Sequence, residues 1–581
     1  MTMVAYRPLQ YKGASGAPLG TWGRVALGGA PVCTCEQLLD IVAESTTNRR
    51  ALCVTTVETI TAAKVERLLQ TPHFMLLLLP SQGEFLSATA EKEMREIEKM
   101  LLDRHSSAAI AFGRQNANTD ILLRRIREDD DLRSLATALR LYTALRNIRT
   151  SSCQRLKSQQ AAALCCFFLV AEASALAPMK PPLFRPFISA FADYVQEWKP
   201  VQTVKGLTLT AWLRGQPDES ESHAPTLVFV AHHDAFACVP HFATAVSSSA
   251  SGLAVLLALA RELRKLFAEK QAAYNIAFVV ADAGALNYGG VAEWIGSAES
   301  SLLNAISYAL CLDNLAAHAL TLHTPKAYKD PEAVRFLGAL ERALLAEGID
   351  LAVKTKKLAV GERALPLWPH ELFTRAKVIA GTLSAEAEVK HLWNRQGLTD
   401  DHLDRVALAK AVRGLAEGTA RFLWHAESPK DRLTFRDGST TVPRLLAAWQ
   451  QRAAASPRFV AYRHLEAYQG SNASPLYFLE AIEAELHDVG LVTERHEFEV
   501  DMAGFGFSYE PPISVMFAEA RSTFFDWLVL LSALLYCLII YLVIRGGFPS
   551  GSAASYLFAA LPFLGSQQAS PATDLKSKKA P

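Results

Sequence analysis

The feature that most constrains this chain is a run of eighteen uncharged, almost wholly apolar residues, Trp527 to Ile544 (WLVLLSALLYCLIIYLVI). A helix rises about 1.5 Å per residue, so a run of this length crosses most of a hydrocarbon layer about 30 Å thick. A buried core helix would normally carry a polar stripe, and this run has none. The sequence therefore predicts a single C-terminal transmembrane helix over residues 524–544.

Basic residues follow this run, and they set its predicted orientation. Arg545, Lys576, Lys578 and Lys579 stand against a single Asp574. The more positive side of a span faces the cytosol, so we predict that residues 545–581 form a cytosolic tail and that the chain before the helix is lumenal. Lys578 and Lys579, fourth and third from the end, resemble the dilysine retrieval signal of endoplasmic-reticulum membrane proteins. A solvated basic tail is the alternative.

The sequence also bears on targeting, glycosylation and disulfide formation. Residues 1–21 contain no basic region followed by an apolar stretch, so we expect either a leader that precedes this sequence or targeting by the C-terminal helix. The sequon at Asn472 is a candidate glycosylation site, although Pro475 follows it closely. Cys537 lies in the apolar run, which leaves eight of the nine cysteines to form disulfides in an oxidising compartment.

The charge balance and the length exclude some classes of protein. Lys and Arg total 59 against 58 Asp and Glu, so no global field attracts nucleic acid. A chain of 581 residues is long enough for a large core and additional domains. We predict an N-terminal lumenal α/β region at 1–200, a second domain at 201–425, and an accessory membrane-proximal region at 426–522.

Short apolar runs alternate with amphipathic helices through the second domain, which is typical of an α/β fold. The predicted strands are Thr226–Ala231, Asn275–Val280, Tyr308–Leu312 and Lys377–Ala380, and the predicted helices include Pro331–Glu347 and Asp404–Trp424. Strands buried on both faces indicate a mostly parallel or mixed sheet flanked by helices. Functional residues of such sheets lie beyond the carboxyl ends of the strands.

One of these strands ends in His232-His233-Asp234, and His-x-Asp at a strand end begins many zinc sites. Together with Ser251-Gly252 at a helix start and Asp313 at another strand end, it resembles the zinc aminopeptidase family over residues 200–425. The resemblance implies an aminopeptidase-like fold and two-metal hydrolysis. It places His232 at a metal ligand, Asp234 at the carboxylate that orients it, and Asp313 at a later ligand.

The remaining positions of that site have lost their chemistry. The resemblance places Ser248 at the bridging carboxylate, and Gly284 and Ala285 at the general base and its neighbouring ligand. Asp282 lies two residues too early to replace them, and neither His391 nor His402 has the spacing of the last histidine ligand. We therefore predict a pseudo-enzyme without cofactor or bound metal. An active or single-metal aminopeptidase is the alternative.

Several separate segments resemble the nicalin family, a branch of the zinc aminopeptidase superfamily with a degenerate site. They include Val4–Tyr11, Ala231–Phe236, Asn287–Gly290, Leu310–Asp313 and Trp368–Phe373. The resemblance implies a structural subunit in the endoplasmic-reticulum membrane that assists multi-pass membrane protein biogenesis. The implied partners are a polytopic membrane protein, a nodal-modulator-like lumenal protein and the protein-conducting channel. A nicastrin-like subunit that gates substrates for an intramembrane protease is the alternative.

Overall fold

A computed structural model of the chain describes most of residues 1–128 and 187–545. The described residues are 1–12, 16–22, 28–44, 51–71, 73–81, 84, 86–106, 108–128, 187–192, 199–216, 224–358, 365–389, 396–400, 403–426, 432–436, 441–463, 475–502, 505–520 and 523–545. Those within Met1–Ala177 and Phe187–Ala520 belong to one compact unit, and those within Arg521–Pro581 belong to a second.

All strands of the described residues lie in the first unit. They are β1 (Thr2–Ala5), β2 (Gln10–Lys12), β3 (Pro18–Thr21), β4 (Gly28–Thr34), β5 (Leu52–Thr56), β6 (Phe74–Leu79), β7 (His105–Ser106), β8 (Ala109–Arg114), β9 (Phe187–Ala192), β10 (Lys199–Pro200), β11 (Lys205–Leu213), β12 (Thr226–His232), β13 (Asn275–Ala281), β14 (Ile306–Leu312), β15 (Ala319–Thr324), β16 (Asp350–Thr355), β17 (Ala380–Ser384), β18 (Thr493–Glu499), β19 (Gly506–Tyr509) and β20 (Ile513–Ala520). They form three sheets.

The described residues also form helices, the last of which belongs to the second unit. They are α1 (Cys35–Glu44), α2 (Ala62–Leu69), α3 (Ala88–Asp103), α4 (Ala117–Glu128), α5 (Ser249–Glu269), α6 (Gly289–Ser297), α7 (Ser300–Ala305), α8 (Pro331–Ala346), α9 (His370–Arg375), α10 (Arg405–Leu423), α11 (Thr441–Ala455), α12 (Pro475–Asp488) and α13 (Thr523–Arg545). Short 3-10 turns occur at Pro240–Phe242 and Val460–Tyr462.

The largest sheet has eight strands in the order β16-β15-β17-β14-β12-β13-β11-β18. Strands β17, β14, β12 and β13 run parallel, whereas β11 and β18 are antiparallel to their neighbours. Helices α5, α8 and α10 pack on one face, and α6 and α9 pack on the other. Every residue of β12 is buried because both faces are covered. The predicted mixed sheet flanked by helices is confirmed.

The other two sheets join distant parts of the chain. The seven-stranded sheet has the order β1-β20-β9-β4-β5-β6-β8, and the five-stranded sheet has the order β10-β19-β2-β3-β7. Strands β18, β19 and β20, which lie in the predicted accessory region 426–522, contribute one strand to each of the three sheets. The first unit is therefore held together by pairing between its two ends.

Most of the predicted elements of the largest sheet occur within two residues of their predicted bounds. The prediction of a strand at Lys377–Ala380 is wrong, since strand β17 begins only at Ala380. Lys377 has a φ of 65° and donates its backbone N–H to the carbonyl of Thr374, so it closes the turn after α9. A left-handed residue cannot continue into a regular strand.

Helix α13 occupies the position of the apolar run at 524–544. Within the part of the chain that the structure describes, none of the helices meets the length and apolar character needed to cross a membrane. The predicted span therefore stays a prediction. Asn472, Lys578 and Lys579 lie outside the described residues.

A disulfide joins Cys35, the first residue of α1, to Cys53 in the neighbouring strand β5. Both side chains are buried in the core between the seven-stranded sheet and its helices, and their Cα atoms are 4.8 Å apart. The bond closes a loop with a sequence separation of 18 residues. A loop of this size removes enough disorder from the unfolded chain to stabilise the fold by about 3 kcal/mol.

We expect the double substitution Cys35→Ser and Cys53→Ser to lower the free energy of unfolding by about 3 kcal/mol. Denaturant unfolding of the purified full-length protein, with and without reductant, measures this loss. Cys537→Ser, at an exposed cysteine of α13, is the control and should not change the effect of reductant. Equal stability of the double variant and the unaltered protein would contradict the bond.

Candidate functional site

The candidate site lies at the carboxyl ends of three neighbouring parallel strands. His232 ends β12, Asp282 directly follows β13, and Asp313 directly follows β14. In the sheet, His232 is opposite Ala281, and Ala231 is opposite Leu312. The topology thus brings the predicted residues His232, Asp234 and Asp313 to one edge of the sheet, where all three are buried.

Asp234 is hydrogen-bonded to the backbone of the turn that follows strand β13. Its two carboxylate oxygens accept the backbone N–H groups of Gly284 at 2.8 Å and Ala285 at 3.1 Å. Burial and the nearby charge of Asp282 raise the pKa of Asp234 to about 6, although these two N–H donors oppose the shift. Asp234 therefore holds the turn that carries Gly284, the predicted position of the general base.

Gly284, the predicted position of the lost general base, is packed directly against His232. A Cβ atom at residue 284 would lie 2.8 Å from Cγ of His232, 2.9 Å from its Nδ1 and 3.1 Å from Oδ1 of Asp234. Distances near 2.8 Å are shorter than real Cβ contacts, so any side chain at this position displaces the imidazole or the turn. The ring of Tyr288 lies 5.2 Å from the imidazole.

Ser248, the predicted position of the lost bridging carboxylate, is hydrogen-bonded to Asp400. The Ser248 hydroxyl donates to Oδ2 of Asp400, and the backbone N–H of Ser247 donates to Oδ1 at 2.8 Å. Asp400 belongs to the loop in which the last histidine ligand was expected. Asp400 is 152 residues from Ser248 in sequence. Its carboxylate accepts hydrogen bonds from the residues just before α5. Asp313 accepts a hydrogen bond from the hydroxyl of Ser384 at 3.3 Å.

Asp282 forms a buried two-bond ion pair with Arg463. One guanidinium nitrogen lies 2.7 Å from Oδ1, the other donates to Oδ2, and both side chains are at most 2% exposed. The backbone N–H of Leu207 also donates to Oδ2 at 2.8 Å. Burial opposes ionisation of Asp282, but the charges of Arg463 and His233 outweigh it and hold the pKa well below its usual range.

Two more buried groups complete this edge. Burial lowers the pKa of His233 to about 4, and its Nε2 lies 2.9 Å from the carbonyl oxygen of Leu207. Arg458 donates to the carbonyl oxygens of His233, at 2.7 Å, and Ala453, at 3.0 Å. Neither Arg458 nor Arg463 has a local sequence signal, because each reaches partners about 180 or more residues away.

These residues do not fit a dinuclear zinc centre. The position of the base has no room for a carboxylate, and the position of the bridge holds a hydroxyl that already donates to Asp400. Among the residues that the structure describes, no group of three or more His, Cys, Asp or Glu side chains could hold a metal ion. His391 and His402 lie outside those residues. We derive no metal-dependent step from this arrangement.

Part of the chain is similar in sequence to known proteins. The chain is 31% identical over 221 residues to the BOS complex subunit NCLN of Mus musculus, an alignment that covers 35% of this chain and 38% of the mouse protein. The chain resembles nicalin. A protein named nicalin from Caenorhabditis elegans is 26% identical over 192 residues, or 29% of this chain and 34% of the relative. The similarity to nicalins thus spans little more than a third of their length, and no family model matches the chain.

A wider likeness is found among solved structures. The γ-secretase component nicastrin superposes with a TM-score of 0.52 at 10% sequence identity, covering 89% of this chain and 99% of the nicastrin chain. At this identity the likeness shows the fold alone. The nicalin-like chain therefore has a nicastrin-like mixed α/β fold.

We expect Gly284→Ala to destabilise the protein by about 1–3 kcal/mol, because its methyl group would overlap the imidazole of His232. The matched control is Gly296→Ala in α6, where a Cβ has no neighbour within 4 Å and should gain up to about 1 kcal/mol. Denaturant unfolding of both full-length variants measures the difference. Equal stabilities would show that His232 does not pack against residue 284.

We expect Arg463→Met to destabilise the protein by about 3–5 kcal/mol, because it leaves Asp282 charged and unpaired in the core. Adding Asp282→Asn should recover part of this loss, as measured by the double-mutant cycle in denaturant. Arg104→Met breaks the exposed pair with Glu66 and should cost less than about 1 kcal/mol. A cycle without coupling would exclude the ion pair.

Proposed function

We propose that this chain is a non-catalytic structural subunit of an endoplasmic-reticulum membrane complex, next to the protein-conducting channel, where it assists multi-pass membrane protein biogenesis. The observation that supports the non-catalytic part is that fixed contacts occupy the two positions that we assign to the general base and the bridging carboxylate. Gly284 packs on His232, and Ser248 binds Asp400. Hydrolysis needs a base that is free to take a proton from water, and neither contact leaves one.

Membership of a complex is supported by the relatives. The mouse, human and zebrafish proteins with 31–32% identity are all named BOS complex subunits. We propose that this chain occupies the same place, with a polytopic membrane protein and a nodal-modulator-like lumenal protein as its partners. A rigid α/β body retains its core after losing chemistry and still offers surfaces for association.

We propose a single-pass membrane topology with the bulk of the chain in the lumen and residues 545–581 in the cytosol. The apolar run of α13 supports the span, and the basic residues after it support the orientation. The disulfide between Cys35 and Cys53 supports the lumenal side, because such bonds persist in oxidising compartments. Glycosylation of Asn472 and retrieval by Lys578 and Lys579 complete the proposal.

A nicastrin-like gating subunit is the second candidate, and the shared fold is the observation that favours it. Fold is a weak guide to function, because one scaffold serves many roles. The sequence similarity to BOS complex subunits favours the first proposal. The two candidates predict different co-purifying proteins, either channel components or an intramembrane protease.

The test is affinity purification of the full-length chain from cells in mild detergent, with mass spectrometry of its partners and metal analysis of the same sample. We expect channel components and a nodal-modulator-like protein, with far less than one zinc per chain. His232→Ala with Asp234→Ala, if folded, should retrieve the same partners, since we assign no chemistry to these residues. Recovery of an intramembrane protease would favour the second candidate. One or two zinc ions per chain without membrane partners would overturn the proposal.

A further inference from the structure

A cavity of about 1000 Å³ lies above the degenerate site, within the first compact unit. Helix α3 forms one wall, and the loops at the carboxyl ends of the largest sheet form another. Ser247, Ala285 and Asp400 line it next to the lost bridge and base positions. A volume of this size is at the upper end of ordinary ligand pockets, so it accommodates more than a small ion.

The lining is strongly acidic. Among the described residues that line the cavity, nine carry carboxylates and three carry basic side chains. Two of the nine carboxylates are already paired, because Glu91 lies 2.7 Å from Arg95 and Glu388 lies 2.9 Å from Lys354. Burial raises the pKa of Glu98 to about 7. The remaining carboxylates still outnumber the two remaining cations, Lys99 and Arg114. Low-dielectric walls concentrate such a field, so the cavity attracts positive charge.

Apolar side chains interleave with these carboxylates. Phe236, Leu286 and Leu398 line the cavity from three separate loops, and Met502 and Phe505 line it from one turn. A small hydrated cation gains nothing from such walls, whereas a segment carrying both basic and apolar side chains gains from burying them. The lining therefore discriminates between cationic ligands by their apolar content.

We propose that this cavity is a binding site for a peptide segment that alternates basic and apolar residues, held without cleavage. Carboxylates of α3, such as Glu96 and Asp103, provide the charge complementarity for lysine or arginine. The apolar side chains of Phe236, Leu286 and Leu398 contact the intervening apolar residues of the peptide. The proposal goes beyond the proposed function and does not rest on it, because the cavity belongs to one unit and needs neither membrane nor partner subunit.

The test uses the full-length chain in nanodiscs of zwitterionic lipid, with empty nanodiscs as the blank. Fluorescence anisotropy follows a labelled nine-residue peptide of alternating lysine and leucine. The comparison probes are a lysine–serine peptide of the same charge, a glutamate–leucine peptide, and spermine as competitor. We expect saturable binding of the lysine–leucine peptide alone, weakening as salt rises.

The variant Glu96→Lys with Asp103→Lys reverses two exposed charges on α3, and we expect about tenfold weaker binding. Glu58→Lys with Glu341→Lys changes the net charge equally at exposed positions outside the cavity and should bind as the unaltered chain does. The proposal is overturned if both variants bind alike, or if the lysine–leucine peptide does not bind. Equal binding of the lysine–serine peptide, or full competition by spermine, would also overturn it. None of these outcomes alters the partner test of the proposed function.

Discussion

The buried ion pair between Asp282 and Arg463 is the interaction on which the candidate site depends. It joins the carboxyl end of a central strand to a segment 181 residues later, and the same carboxylate accepts the N–H of Leu207. A buried carboxylate is costly without a countercharge, and a guanidinium provides one in fixed geometry. Arg463 therefore supplies the positive charge that keeps the buried carboxylate of Asp282 ionised.

Two neighbouring carboxylates are held by hydrogen bonds from the turns next to them. Both carboxylate oxygens of Asp234 accept hydrogen bonds from the turn at Gly284 and Ala285. Both oxygens of Asp400 accept hydrogen bonds from the turn at Ser247 and Ser248. Each carboxylate thus satisfies backbone donors that would otherwise be buried without partners. These hydrogen bonds fix both turns at the carboxyl edge of the sheet.

Local pattern was sufficient for the central strands and helices of the largest sheet, because their burial on both faces produces continuous apolar runs. It was also sufficient to place His232, Asp234 and Asp313 at one sheet edge, since parallel strands align their carboxyl ends. The roles of Asp400, Arg458 and Arg463 were not predictable, because each depends on a contact more than 150 residues away. The start of strand β17 was predicted wrongly because Lys377 has a left-handed backbone conformation, with a φ of 65°, which lysine rarely adopts.

The distribution of β18, β19 and β20 over all three sheets has a consequence for synthesis in the cell. Met3 pairs with Val515, and the backbone N–H of Phe517 donates to the carbonyl of Met1. Strand β1 can therefore pair only after nearly the whole first unit has been synthesised. Contacts of such long range close slowly, because the intervening chain must first be gathered. A nascent chain emerging from its amino end would hold open sheet edges until residue 520 is available. Only a few residues later the apolar run of α13 leaves the ribosome, so completion of the first unit and release of this apolar helix nearly coincide.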